Sequence, residues 1–292
     1  MSTLALETAA PASPSLPARI GTAIRRNPTI TLGAGLLGAL IVMALIAPWI
    51  TTDPFRLAPI NRLRPPSERW WFGTDQFGRD VFARTIHGAR VSLIAGLSVA
   101  TIASLIGLTI GLACGYFRAV DAVLMRVMDG LMAIPSLLLA IALITLTRPG
   151  LGIVIIAIVI PEVPRIARVV RSVVLSIRNQ PYIESALAGG TRSAKLLLRH
   201  ILPNTVAPLI VQATYVCASA MLIEAGLSFL GAGVPPEIPS WGNIIAQGRS
   251  FFQIAPWTIL IPGAFLALTV LAVNMLGDGL RDRLDPRLAR RL

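Results

Sequence analysis

Six runs free of Asp, Glu, Lys and Arg punctuate the chain: 27–52, 91–117, 130–147, 149–161, 200–223 and 250–277. An apolar helix needs about 20 residues to cross about 30 Å of hydrocarbon. Five runs reach or approach that length. The run 149–161 is too short alone, so its helix is expected to continue past Glu162 and Arg165. The pattern therefore predicts an all-α, polytopic membrane protein with six transmembrane helices. The first span covers 29–52, and its apolar core from Ile30 to Ile50 exceeds a signal-peptide h-region. The tail before it, 1–28, is rich in Ala, Pro and Ser and is expected to be disordered.

Composition agrees. Hydrophobic residues make up 54% and charged residues 14%, with a mean hydropathy of +0.73. Soluble domains carry about 25% charge. This excludes a disordered chain, a collagen-like fibre and a disulfide-stapled module. Cys114 and Cys217 both lie in apolar runs. The net charge of +12 comes from 26 cations, of which Lys195 alone is a lysine. No basic run is interleaved with aromatics in a polar domain, so nucleic acid is not an expected partner. Arginines flanking spans beside anionic lipid explain the excess.

Cation placement also orients the chain. With both termini inside, 17 cations lie inside and 9 outside. The segment 53–90 dissents, with seven arginines from Arg56 to Arg90 partly offset by Asp53, Glu68, Asp75 and Asp80. The segment 91–280 then holds five helices, and 281–292 is a basic cytoplasmic tail.

Inside the spans, Ala103, Gly107, Gly111 and Gly115 recur at four-residue spacing, beside Gly96, Ala100 and Ser104. Such stripes let helix backbones approach closely in lipid; a helix lining a moving pathway would look similar. Intramembrane acids are costly and default to functional hypotheses. Asp129 lies about a turn from Arg126, and Glu162 three residues before Arg165, so local pairs are expected. Arg165, Arg168 and Arg171 form a basic stripe. Glu224 has no nearby cation in sequence and marks either a wet pathway or gate, or the outer interface. His87 and His200 fall at span edges, which gives little support to a proton relay.

The stretch 172–203, between the fourth and fifth spans, is long enough to carry function. Pro181 suits a first helical turn. A short helix is predicted over Pro181–Ala188, broken at Gly189-Gly190. Thr191 or Ser193 can cap a second helix running to about Ile201, with a bend at Pro203 into the fifth span. The product is helix, sharp turn, helix.

Glu184-Ser185-Ala186, Gly190 and His200-Ile201-Leu202-Pro203 resemble the EAA motif of inner-membrane permease subunits of ATP-binding-cassette importers. Glutamate to glycine is six residues, and thirteen more reach the proline. Ser185 replaces the second residue of the triplet, small for small. Trp71-Phe72-Gly73-Thr74-Asp75 with Gly78-Arg79-Asp80-Val81 is similar to the signature after the first span in the dipeptide/oligopeptide/nickel permease family, C-type branch. So are Glu224 to Gly231 and Pro239-Ser240-Trp241-Gly242-Asn243. The likeness covers about 30–280.

The resemblance implies a type I importer permease fold in the bacterial inner membrane. It implies a second permease subunit as heterodimer partner, two cytoplasmic ATPase subunits and a periplasmic substrate-binding protein. It assigns Glu184, Ser185, Ala186, Gly190, His200, Leu202 and Pro203 to coupling with the ATPase, and it places 53–90 outside. On that reading Glu184 pairs with a partner cation and Ala186 keeps the docking surface low. The cargo would be dipeptides, oligopeptides or a related solute.

The chain carries no hydrolytic machinery of its own. A phosphate loop needs G-x-x-x-x-G-K-[ST], and Lys195 stands between Ala194 and Leu196. No H-E-x-x-H occurs, and Met275 stands where a membrane aspartyl protease motif needs glycine before Asp278. No cofactor, metal site or catalytic residue is expected. The alternatives are an ion- or proton-coupled secondary carrier and a membrane scaffold.

Overall fold

The computed structural model describes residues 27–147 and 150–284. The expected tail 1–28, apart from Asn27 and Pro28, lies outside them, as does 285–292. The described chain is helical, with one isolated bridge between Thr74 and Asp80. In order, the helices are α1 (Pro28–Ile50), α2 (Val81–Tyr116), α3 (Arg118–Ala133), α4 (Ser136–Thr145), α5 (Leu151–Ile177), α6 (Pro181–Ala188), α7 (Ser193–Leu196), α8 (Leu202–Phe229), α9 (Trp241–Gly248) and α10 (Trp257–Leu284).

Among the described residues, four helices have the length and apolarity of a membrane span: α1, α2, α10 and the continuous helix Ser193–Phe229. The expected third span is built differently. The pair α3 and α4 bends by 89°, and Pro135 sits at the break as the residue before α4. Pro135 has no N–H to continue the helical ladder, and its ring bars the residue before it from helical geometry. Ile134 is accordingly extended, at φ −94° and ψ 129°. The expected fourth span is α5, whose 27 residues reach about 40 Å at 1.5 Å each. Glu162, Arg165 and Arg168 separate it from the purely apolar spans. The second apolar run also lies in a longer helix than predicted, because α2 starts ten residues earlier at Val81. Asp80 starts it there by accepting the Phe82 N–H at 2.9 Å.

The small-residue stripe is a packing seam. A Cβ on Gly107 would lie 2.7 Å from the Ile166 side chain, on Gly111 2.6 Å from Val170, and on Gly115 2.4 Å from Val174. Each partner lies one turn further along α5, so α2 and α5 run side by side. Gly96 meets Met221 and Cys217 of α8 in the same way. Most of the core cluster accordingly comes from α2, α5 and α8, with single residues or pairs added by the other helices. The 36-residue α2 separates the two ends of the molecule by about 54 Å. The segment 51–80 lies at one end and α6 at the other.

Candidate functional site

Helix α6 is set by its two ends. Gln180 is extended, Pro181 opens the first turn, and the Gln180 carbonyl accepts from the N–H groups of Ile183 and Glu184 at 2.9 and 3.2 Å. At the other end the Thr191 N–H donates to Ala186 O at 3.0 Å, and the Gly190 N–H to Leu187 O at 2.9 Å. This is a Schellman motif. It places Gly190 at φ +77°, which L side chains disfavour. The space around Gly190 is open, so backbone angle alone calls for glycine there.

The hairpin is anchored on one side only. Ile183, Leu196 and Ile201 are buried in the core. The Tyr116 hydroxyl donates to Ser193 Oγ at 3.1 Å, and Arg178 Nη1 to Gly115 O at 3.1 Å, tying the hairpin to the end of α2. On the other side Glu184, Ser185, Leu187 and Gly190 are exposed. Ser185 turns its hydroxyl back to Pro181 O at 2.9 Å, so Glu184 is the charged group that α6 itself offers. Ala186 differs from expectation. It is half-buried against the core, and its small size lets α6 lie close to the bundle.

His200, Leu202 and Pro203 sit apart from this tip, at the root of α8. The bend expected at Pro203 is a π-turn over Leu197–Ile201 inside a helix that continues from Ser193 to Phe229. Pro203 has no N–H to offer the Arg199 carbonyl. The helix widens by one residue, the Leu202 N–H reaching Leu197 O. Asn204 Nδ2 then supplies His200 O at 2.7 Å. His200 Nδ1 is enclosed without a partner among the described residues.

Glu224 lies about 33 Å along α8 from Leu202. It is fully buried. Its Oε1 accepts from Ser228 Oγ at 3.0 Å and Ser240 Oγ at 2.9 Å. Ser240 caps α9 through the Asn243 N–H at 3.1 Å, and Asn243 Nδ2 holds the carbonyls of Val234, Pro235 and Ile238. Trp241 Nε1 donates to Thr85 O at 3.0 Å on α2. The two sequence motifs around Glu224 and Trp241 are thus halves of one clamp joining α8, α9 and α2. The acids and hydroxyls were legible singly, but their union depends on a 16-residue return from Glu224 to Ser240 that periodicity does not reveal.

The basic stripe on α5 is a ladder. Arg165 bonds Glu162 at 3.2 Å, as the spacing predicts. Arg168 bonds Asp129 at 2.5 Å, and Arg171 grips Asp121 at 2.5 and 2.7 Å. Asp129 therefore pairs across to α5, not with Arg126 one turn away. At the far end of α2, Asp75 accepts from Arg79 Nε at 2.6 Å, and Arg79 Nη2 reaches Gln247 Oε1 at 2.5 Å. Arg84, fully buried beside Asp75, is a residue the sequence reading did not single out. Its only signal was its place in the first turn after the Gly78-Arg79-Asp80-Val81 motif. Among the described residues no cluster of His, Cys, Asp and Glu could hold a metal ion.

Residues 89–290 match the family described as binding-protein-dependent transport system inner membrane component. A Sinorhizobium fredii protein named as a probable peptide ABC transporter permease is 58% identical over 267 residues, covering 91% of this chain and 92% of that one. The dipeptide transport system permease of Alkalihalophilus pseudofirmus is 43% identical, covering 91% and 88%. The oligopeptide transport system permease of Bacillus subtilis is 37% identical, with the same coverage. Among solved structures, the inward-facing MetNI methionine ABC transporter superposes with a TM-score of 0.52 at 21% identity, covering 66% of this chain and 94% of that one, a likeness of fold. With a family match over most of its length and relatives aligned across nearly all of it, this multi-pass helical chain belongs to the inner membrane components of binding-protein-dependent transport systems.

Proposed function

We propose that the chain forms half of the translocation pathway of an ATP-driven importer for dipeptides, oligopeptides or a related solute. It pairs with a second permease subunit, a heterodimer partner. Two separate ATPase subunits bind beneath the permease pair, one of them docking on α6, and a substrate-binding protein delivers cargo at the 51–80 end. Both termini and α6 face the cytoplasm. The observation that carries the coupling role is α6 itself: a short helix with a rigid Schellman end, buried on one side and bare on the other, with Glu184 at its tip. A lever needs that construction. Force applied to the exposed side passes through Ile183, Leu196 and Ile201 into the core. If ATP closes the motor, α6 moves with it and the bundle rocks between inward- and outward-facing states.

A proton-coupled carrier would need connected intramembrane acids. Here Glu162, Asp129 and Asp121 each end on an arginine. The test is reconstitution with the partner permease, ATPases and binding protein. Uptake is expected to require ATP and all subunits. Accumulation by this chain alone in response to a pH or sodium gradient would contradict the proposal.

A further inference from the structure

Beside α6 lies an open cavity of about 390 Å³ walled by Tyr116, Arg118, Arg178, Asn179, Ile183 and Leu187. Its walls carry two guanidinium groups and no carboxylate. Among the described residues neither Arg118 nor Arg178 is in an ion pair. Asp121, the nearby acid on α3, already holds Arg171 through both oxygens. Arg178 spends one N–H on Gly115 O, which points the guanidinium along the end of α2 and fixes it. Arg118 is exposed and makes no side-chain hydrogen bond among the described residues. The floor is apolar, from Ile183 and Leu187, and Tyr182 and Leu187 extend an exposed apolar rim along α6, each 47% exposed.

We propose that this cavity is a second anchoring point for the ATPase, taking an acidic side chain of that subunit between Arg118 and Arg178. The inference rests on the docking role proposed for α6 and goes beyond it by naming a charge pairing of opposite sense to that of Glu184. The cavity and the docking helix share two walls, so whatever covers α6 also covers the cavity. Two cations over an apolar floor fit a carboxylate carried on an apolar surface. They would be left desolvated and unpaired if the covering surface were neutral. The pocket also makes docking directional. A groove gripping α6 alone leaves rotation about the helix axis free, and a second contact off that axis removes it.

Sequence composition makes the test clean. Lys195 is the single lysine of the chain, so Lys195→Arg leaves no side-chain amine. Adding Arg118→Lys then places one amine at the cavity. In the assembled transporter, a zero-length carbodiimide crosslinker joins an amine to a carboxylate in contact. Mass spectrometry of the product is expected to show Arg118→Lys peptides joined to an acidic residue of the ATPase, and no such product from the Lys195→Arg chain. In parallel, Arg118→Glu is expected to weaken retention of the ATPase and Arg118→Lys to preserve it. A photo-crosslinker at Ser185 in the same preparation reports α6 docking independently. Capture of the ATPase from Ser185 without any crosslink from Arg118→Lys would overturn the cavity proposal and leave the α6 reading intact. Capture from neither would remove the foundation of both. Unchanged ATPase retention in Arg118→Glu, with loss only of binding to vesicles containing phosphatidylglycerol, would assign the cavity to lipid headgroups and overturn the proposal.

Discussion

Three residues hold their positions for separable physical reasons. Gly190 is at φ +77° in open space, so Gly190→Ala meets no atom and suffers only the left-handed penalty, about 1–2 kcal/mol. Gly190→Asn should cost less, because asparagine visits that region. Thermal unfolding of the purified subunit separates the two, and both should leave membrane insertion intact. Glu224 is the acceptor for two buried hydroxyls. Glu224→Gln keeps an acceptor at that place, whereas Glu224→Leu strands Ser228 and Ser240 and should destabilise by about 1–3 kcal/mol for each buried group left unpaired. Asp80 couples structure to pH. Burial holds its carboxyl above the ordinary aspartate value, outweighing hydrogen bonds from the Phe82 and Ala83 N–H groups and Thr52. A raised acid binds its proton more readily folded than unfolded, so its contribution to stability grows as pH falls through the folded value. Asp80→Asn should keep the cap and abolish that slope, while Asp80→Ala should lose the cap, about 1 kcal/mol. Melting curves of the three proteins across the mildly acidic range read both effects.

At the scale of elements, the α2–α5 seam carries the sharpest expectation. A Cβ on Gly111 already falls 2.6 Å from Val170, so Gly111→Leu must part the helices and should cost at least the 1–3 kcal/mol of ordinary overpacking. Gly130, with open space about it, is the matched control: Gly130→Leu should be near neutral or better in detergent-solubilised stability assays. The seam was legible because four small residues at one spacing suit close helix packing in lipid, and the steric fit against α5 selects that use over a pathway lining. The helix–turn–helix of α6 and α7 was equally legible, since Pro181 and the glycine pair act locally. What failed were features set across the chain. Asp129 has a cation one turn away at Arg126, yet binds Arg168 from another helix, and sequence spacing cannot weigh those two. That pair is half exposed, so a double-mutant cycle on Arg168 and Asp129 should return less than about 1 kcal/mol. The 89° break at Pro135 was likewise invisible to hydropathy, which counts apolar residues and not direction. Pro203 drew attention to the right place with the wrong outcome, because a π-turn absorbs a missing N–H as well as a bend does.

The whole molecule is a helical bundle with two specialised ends joined by the 36-residue α2. One end is pinned by buried clamps: Asp75 with Arg79 and Gln247, and Glu224 with Ser240. The other offers a bare, stiff hairpin. Such an asymmetry suits a passive gate driven from one side, with no hydrolytic motif in the chain itself. Motion imposed at α6 would reach the far end through the α2–α5–α8 core. The most direct measurement places a photo-crosslinking residue at Ser185 in the fully assembled, importing complex and identifies what it captures with and without ATP. The account expects the nucleotide-hydrolysing subunit, with a yield that changes on ATP binding. Capture of lipid alone, in a complex that still imports its solute, would contradict it.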